Sequence, residues 1–88
     1  MLGKTVVITG ATSGIGYYSA LEIANLGARV ILVGRNTERG KNATETIIKE
    51  SGNSEIEFIV GDVSTRRGVE LLTNAINQRV SKIDVLIN

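Results

Sequence analysis

The sequence predicts an α/β protein built on a four-stranded parallel sheet. Four short runs rich in β-branched residues recur along its 88 residues, and they start at positions 5, 29, 56 and 83. Each interval between them contains a helical pattern of apolar residues, which gives the order β-α-β-α-β-α-β. Hydrophobic residues make up 42% of the chain but aromatic residues only 3%. Such an aliphatic composition is typical of parallel strands that are buried on both faces.

The strands are predicted from four sequence runs, TVVIT, RVILV, IEFIV and IDVLI, over residues 5–9, 29–33, 56–60 and 83–87. Between them we expect three amphipathic helices, over residues 14–26, 37–51 and 65–80. Gly27 and Gly52 suit the C-terminal ends of the first two helices, and Ser64 suits the N-cap of the third. The third helix would turn four aliphatic side chains toward the sheet, namely Val69, Leu72, Ile76 and Val80.

Charge and composition exclude several classes of protein. The net charge is +1, with no basic block beside aromatic residues, so nucleic-acid binding is not indicated. No apolar run approaches the roughly 18 residues needed to span a bilayer, and the N-terminus lacks the pattern of a signal peptide. The chain has no Cys and no His for a disulfide or a conventional zinc site. We therefore expect a cytoplasmic protein with no membrane segment in this chain.

The segment TGATSGIG, residues 9–16, follows the first strand and opens the first helix. In such a segment Gly10 permits a tight turn, Gly14 lets the backbone approach a phosphate, and Gly16 lets the helix lie against the sheet. The helix N-terminus then favours an anion such as pyrophosphate. The spacing differs from G-x-G-x-x-G, and no Lys-Ser/Thr follows as in a P-loop. The alternative is a glycine-rich turn that serves only the fold.

The second strand is followed by Gly34, Arg35 and Asn36. A site for NAD normally has an acidic residue here for the adenosine ribose, whereas an Arg accommodates the 2′-phosphate of NADP. The Arg35 guanidinium could make a charge-assisted, bidentate contact with that phosphate. The sequence therefore favours NADP over NAD. The alternative is that Arg35 is a solvated loop residue, paired with Glu38.

Asp62 and Val63 follow Gly61 at the end of the third strand. An Asp at the carboxyl end of a parallel strand could accept a hydrogen bond from an adenine amino group, while Val63 packs on the ring. Asp62 could equally belong to a turn or cap the third helix. The sequence leaves both interpretations open.

With these motifs and the final run Asp84-Val-Leu-Ile-Asn88 in this order, the chain resembles the N-terminal part of the short-chain dehydrogenases/reductases over all 88 residues. The resemblance implies a Rossmann-type sheet of order 3-2-1-4, the incomplete half of a doubly wound fold. It also implies an NADP-dependent oxidoreductase that interconverts an alcohol and a carbonyl of a small-molecule substrate. Gly34-Arg35-Asn36 looks most like NADP-preferring members, including the retinol-dehydrogenase-like branch.

The family pattern also implies roles for individual residues. The pyrophosphate and the neighbouring ribose would be held by six residues, Gly10, Thr12, Ser13, Gly14, Ile15 and Gly16. Arg35, assisted by Asn36, would bind the 2′-phosphate, and Asp62 and Val63 the adenine. Asn88 would be the first residue of an Asn-Asn-Ala-Gly motif that lies by the cofactor and braces the central sheet.

The sequence departs from the family pattern in its catalytic residues. Family members carry a catalytic Ser and a Tyr-x-x-x-Lys pair in their second half. Here Leu21 lies four residues after Tyr17, and Glu22 lies four residues after Tyr18. We therefore interpret both tyrosines as packing and surface residues and expect the 88-residue chain alone to be inactive.

We expect residues 1–88 to be the N-terminal part of a single NADP-binding Rossmann domain, cut from a longer protein. The fourth strand would then form an open, apolar edge of the sheet. The alternative function is a non-catalytic nucleotide-binding or interaction module with a Rossmann-like fold. A receiver-like signalling domain would need an acidic cluster at the strand ends, where Asp62 stands alone.

Overall fold

A computed structural model describes residues 2–10 and 14–87. It contains four strands, β1 (Thr5–Thr9), β2 (Arg29–Gly34), β3 (Ile56–Val60) and β4 (Val85–Ile87). Three helices alternate with them, α1 (Gly14–Asn25), α2 (Thr37–Ser51) and α3 (Arg66–Arg79). The strands lie in the order β3-β2-β1-β4, and every pair is parallel. The predicted α/β fold and strand order are confirmed.

The sheet carries one apolar layer on each face. On one face, α1 and α2 cover a cluster formed by Val6, Ile8, Val30, Leu32 and Ile56 of the strands with Ala20, Ala24, Ala43 and Ile47 of the helices. On the other face, α3 contributes Leu72 and Ile76 to a cluster with Val7, Ile31, Val33 and Ile59. The alternation of inward side chains along β1 and β2 places successive residues in opposite layers.

β4 is the least covered strand. It lies at the edge of the sheet beside β1, and the Leu86 side chain is 60% exposed. A cavity of about 480 Å³ lies between α3 and β4, lined by Val69, Leu72 and Leu86 among other residues. Val69 lies on the face of α3 that borders this cavity, together with Val7 of β1, and it is 43% exposed. Val80 packs at the margin of the core as predicted.

β4 begins at Val85, two residues later than predicted, because the side chain of Asp84 takes over a backbone contact. Its Oδ2 accepts a hydrogen bond from the Thr5 backbone N–H at 2.8 Å, while the Asp84 N–H donates to the Thr5 carbonyl at 2.9 Å. The carboxylate therefore replaces the strand carbonyl that would otherwise bind Thr5 N–H. This contact joins the start of β1 to the segment before β4.

An ion-pair network lies at the edge of the sheet where the strands begin, opposite their carboxyl ends. The Glu57 carboxylate on β3 lies 2.6 Å from Arg29 Nη2 on β2 and 3.3 Å from Arg79 Nε on α3. It thus links two strands and the last turn of a helix.

Among residues 2–10 and 14–87, none of the three helices combines the length and the apolar character that a membrane span requires.

α2 lies close to β3 because Gly40 has no side chain. Gly40 is buried, and a Cβ atom built there would overlap the ring of Phe58. We expect Gly40→Ala to lower the free energy of unfolding by about 1–3 kcal/mol, the usual cost of overpacking a core. In an exposed helix the same change would raise stability by up to about 1 kcal/mol. Urea unfolding measures the difference.

Asn42→Ala is the matched control for Gly40→Ala, because Asn42 is exposed on the same helix. We expect it to leave the free energy of unfolding unchanged or slightly higher, since Ala is the better helix former. A Gly40→Ala variant as stable as the Asn42→Ala variant would contradict the close packing of α2 on Phe58.

The Asp84 carboxylate should make part of the stability depend on pH. The hydrogen bond from Thr5 N–H lowers the pKa of Asp84, and the Lys82 ammonium, 3.4 Å from its Oδ1, lowers it further. Because the folded-state pKa lies below the unfolded value of about 4, this stabilisation is full above pH 4. It is lost as the pH falls from there through the folded-state pKa. Asp84→Asn should therefore lose less stability on acidification.

Urea unfolding between about pH 3 and pH 7 tests this prediction. Lys82→Ala is the control, because it keeps the Thr5 hydrogen bond, which is the largest of the causes that lower the pKa of Asp84. We expect its pH dependence to stay closer to that of the unsubstituted chain. Superimposable curves for Asp84→Asn and the unsubstituted chain would exclude the proposed role of this carboxylate.

Candidate functional site

The carboxyl ends of β1, β2 and β3 meet at one edge of the sheet because the three strands are parallel. Two backbone hydrogen bonds hold the segments that leave them. Gly10 N–H donates to the Val33 carbonyl at 3.0 Å, and Gly61 N–H donates to the Gly34 carbonyl at 2.9 Å. In open α/β sheets ligands bind at this edge.

A cavity of about 250 Å³ lies at this edge. It is lined by Thr9, Gly10, Val33, Gly34, Arg35, Gly61, Val63 and Ser64. The structure thus brings together three of the residues that the sequence predicted for a cofactor, Gly10, Arg35 and Val63. Thr9 and Ser64 also line the cavity and were not predicted as site residues.

The turn after β1 depends on glycine. Gly10 has φ of +67° and Gly14 has φ of +61°, a left-handed conformation that is costly for residues with a Cβ atom. The tight turn predicted for Gly10 is therefore present. Ile15, at the start of α1, is 86% exposed, and Gly16 follows it in the same turn of the helix. The predicted site residues Thr12, Ser13 and Asn88 lie outside the described residues.

Arg35 and Asn36 connect β2 to α2. Arg35 is exposed, and within residues 2–10 and 14–87 it forms no ion pair with Glu38. Asn36 is the N-cap of α2, where its Oδ1 accepts a hydrogen bond from Arg39 N–H at 3.0 Å. This capping bond uses only the amide oxygen, so the Nδ2 group, with its two donors, takes no part in it.

Asp62 forms a turn with Ser64. Its Oδ1 accepts hydrogen bonds from the Ser64 backbone N–H at 2.8 Å and from the Ser64 hydroxyl at 2.5 Å. The hydroxyl and the N–H both lower the pKa of Asp62, and the positive charge of Arg35 lowers it further. The carboxyl group is therefore ionised at neutral pH. Of the two structural alternatives for Asp62, the turn is present.

Thr65, and not Asp62 or Ser64, caps α3. The Thr65 backbone is extended, with φ of −122° and ψ of 153°, and its hydroxyl accepts a hydrogen bond from Gly68 N–H at 2.9 Å. The prediction of Ser64 as the N-cap of α3 was wrong, because the Ser64 N–H and hydroxyl both donate hydrogen bonds to Asp62. The Asp-x-Ser spacing, which is typical of side-chain turns of this kind, was the signal that could have shown it.

Two glycines let α3 approach the Asp62 loop. A Cβ atom at Gly68 would overlap the carbonyl oxygen of Asp62, and one at Gly61 would lie 3.2 Å from Leu72 Cδ1. The first turn of α3 therefore packs directly on the backbone of Asp62. This contact fixes the loop beside the cavity.

The two tyrosines lie on α1. Tyr17 is half-buried against the core, where burial raises its pKa, and Tyr18 is 67% exposed. Their rings meet edge to face, with centroids 5.5 Å apart. These positions agree with the predicted packing and surface roles.

A family model described as short chain dehydrogenase matches residues 4–88. The chain belongs to the short-chain dehydrogenase family. Dehydrogenase/reductase SDR family member 13 of Homo sapiens is 42% identical over 86 residues, which cover 98% of this chain and 23% of that protein. The chain thus spans about a quarter of the length of this relative.

Solved structures of family members share the fold. The citronellol catabolism dehydrogenase AtuB of Pseudomonas aeruginosa PAO1 has a TM-score of 0.93 at 34% identity, covering 100% of this chain and 36% of that one. The L-sorbose reductase of Gluconobacter frateurii, solved with NADPH and L-sorbose, has a TM-score of 0.91 at 32% identity, with 100% and 33% covered. The sequence resemblance to this family of oxidoreductases and the Rossmann-type fold are thereby confirmed.

Proposed function

We propose that this chain forms the adenosine and pyrophosphate side of an NADP site in an oxidoreductase that interconverts an alcohol and a carbonyl. The observation that carries the proposal is the placement of Arg35 on the cavity shared by the ends of β1, β2 and β3. The NADPH complex of the related L-sorbose reductase supports it. Residues 1–88 would then be the N-terminal part of a single Rossmann domain, and the substrate would be a small molecule.

The residues present fit the phosphates of NADP. Arg35 offers a guanidinium at the rim of the cavity, and Asn36 next to it has an amide NH₂ outside its capping bond. Within the described residues, apart from Gly10 and its chain neighbours, no atom lies within 4 Å of the place where a Cβ atom at Gly10 would stand. We assign the pyrophosphate and its ribose to the α1 N-terminus and the residues before it, namely Gly10, Thr12, Ser13, Gly14, Ile15 and Gly16. Asn88 would lie by the cofactor.

The adenine would lie against Val63 and Asp62. Val63 is apolar, 51% exposed and part of the cavity wall, so a planar ring could cover it. The ionised Asp62 carboxylate is a hydrogen-bond acceptor, which suits the amino group of adenine. The nicotinamide of the bound cofactor supplies the hydride donor or acceptor of the reaction. The residues of this chain bind and orient the other half of the molecule.

We expect the 88-residue chain to bind NADPH more tightly than NADH, and Arg35→Ala to remove that preference. A hydrogen bond to a charged group contributes about 1.5–3 kcal/mol, which corresponds to a roughly 10- to 150-fold loss of NADPH affinity. NADH affinity should change little, because NADH has no 2′-phosphate. Isothermal titration calorimetry measures both affinities.

Two controls isolate the 2′-phosphate contact. Lys49→Ala removes a positive charge at the opposite end of α2 and should leave the preference for NADPH intact. Asn36→Asp should keep the helix cap, because Asp caps as well as Asn, but should weaken NADPH binding by placing a carboxylate near the phosphate. Equal weakening of NADPH and NADH by Arg35→Ala would argue against the phosphate role. Binding of neither dinucleotide would favour the alternative, an interaction module without a cofactor.

We expect no dehydrogenase activity from the 88-residue chain by itself. Neither Tyr17 nor Tyr18 has a Lys four residues later, so the chain lacks the Tyr-x-x-x-Lys pair that moves the proton in this family. The measurement is the change in nicotinamide absorbance with a panel of alcohols and ketones. Turnover by the purified chain, with contaminating enzyme excluded, would contradict this expectation.

A further inference from the structure

The contact between Ser64 and Asp62 lies directly beside the candidate adenine position. Ser64 lines the cavity together with Val63 and Gly61. Its backbone N–H and its hydroxyl both donate to Oδ1 of Asp62, at 2.8 and 2.5 Å. Two donors from one residue therefore hold one oxygen of a partly exposed carboxylate.

We infer that Ser64 is a positioning residue for adenine, which fixes Oδ1 of Asp62 and thereby presents Oδ2 to the exocyclic amino group of the base. The inference rests on the proposed NADP site. It adds a residue to which the family resemblance assigned no role.

The geometry supports this role because a carboxylate has two oxygens with about four acceptor positions, and both Ser64 bonds end on the same oxygen. An unrestrained Asp side chain rotates broadly about χ2, so its second oxygen has no fixed direction. Restraining one oxygen fixes the other. A preorganised acceptor loses less conformational entropy on binding, which increases affinity.

The backbone of Asp62 is held by a separate set of contacts. Gly68 packs against the Asp62 carbonyl, and the Thr65 hydroxyl caps α3 by accepting from Gly68 N–H. Removing the Ser64 hydroxyl would leave these contacts in place. The effect of Ser64 on the Asp62 side chain can therefore be separated from any effect on the helix.

The electrostatics agree with the geometry. The Ser64 hydroxyl is the largest cause of the lowered pKa of Asp62, followed by the Ser64 N–H, and the charge of Arg35 acts in the same direction. An ionised carboxylate accepts hydrogen bonds and cannot donate one. It therefore suits the amino group of adenine and disfavours a base that carries a carbonyl oxygen at the same position.

The test compares NADPH with its analogue in which hypoxanthine replaces adenine, so that a carbonyl oxygen stands where the amino group was. Affinities are measured by calorimetry on the 88-residue chain and on Ser64→Ala and Ser64→Thr. We expect the unsubstituted chain to prefer NADPH by roughly tenfold or more, the scale of one hydrogen bond to a charged group. Ser64→Ala, which keeps only the backbone N–H donor, should lose part of this preference, whereas Ser64→Thr, which keeps both donors, should retain it.

Thr65→Ala is the control for a purely structural effect. It removes the cap of α3 and should lower the urea midpoint and weaken both dinucleotides alike, with the preference for adenine unchanged. Ser64→Ala removes one exposed hydrogen bond but keeps the helix cap, so it should lower the midpoint of urea unfolding less than Thr65→Ala does and should instead change the preference for adenine.

The outcomes distinguish this inference from the proposed function. If the unsubstituted chain binds neither dinucleotide, both the proposed NADP site and the positioning role of Ser64 are overturned. If it binds NADPH and Ser64→Ala keeps the full preference for adenine, only the inference is overturned. The same holds if Ser64→Ala weakens both ligands equally, if Ser64→Thr behaves like Ser64→Ala, or if the unsubstituted chain shows no preference for adenine.

Discussion

β1 and β2 pair over five consecutive residues, and their side chains enter two apolar layers alternately. Seven of these side chains are 0–1% exposed, and each such burial contributes about 1.5–3 kcal/mol. Helices on both faces require crossover connections, and crossovers make neighbouring strands parallel. Parallel strands in turn bring their carboxyl ends, and the loops that follow them, to one edge of the sheet. The location of the cavity is therefore a consequence of how the core is buried.

The shape of the candidate site is set by short-range contacts within each loop. Asn36 caps α2 through a residue three positions later, Thr65 caps α3 in the same way, and Asp62 bonds to Ser64 two positions later. Each of these polar contacts spans only two or three residues, so its geometry is set within its own loop. The core thus places the loops, while the polar side chains within each loop hold its local conformation beside the cavity.

The sequence predicted the elements well because aliphatic periodicity is local information. All four strands and all three helices lie within about two residues of their predicted ends. Contacts between distant segments were not predictable in the same way. The space left by Gly40 accommodates the ring of Phe58, and Asn53 Nδ2 donates hydrogen bonds to the carbonyls of Ala24 and Ala28. The local sequence around Gly40 or Asn53 does not indicate these partners. Such contacts appear only when the strand order and the helix positions are known.

Asn36 and Asp62 show why structural and functional interpretations of one residue need not compete. The oxygen of Asn36 caps α2, while its nitrogen can still donate to an anion beside Arg35. One oxygen of Asp62 forms the turn with Ser64, while the other can still accept from a base. In each case the structural bond restrains the side chain and so directs its remaining polar group. A sequence pattern typical of a cap or a turn at the end of a parallel strand is therefore compatible with a ligand contact, and it gives that contact a fixed direction.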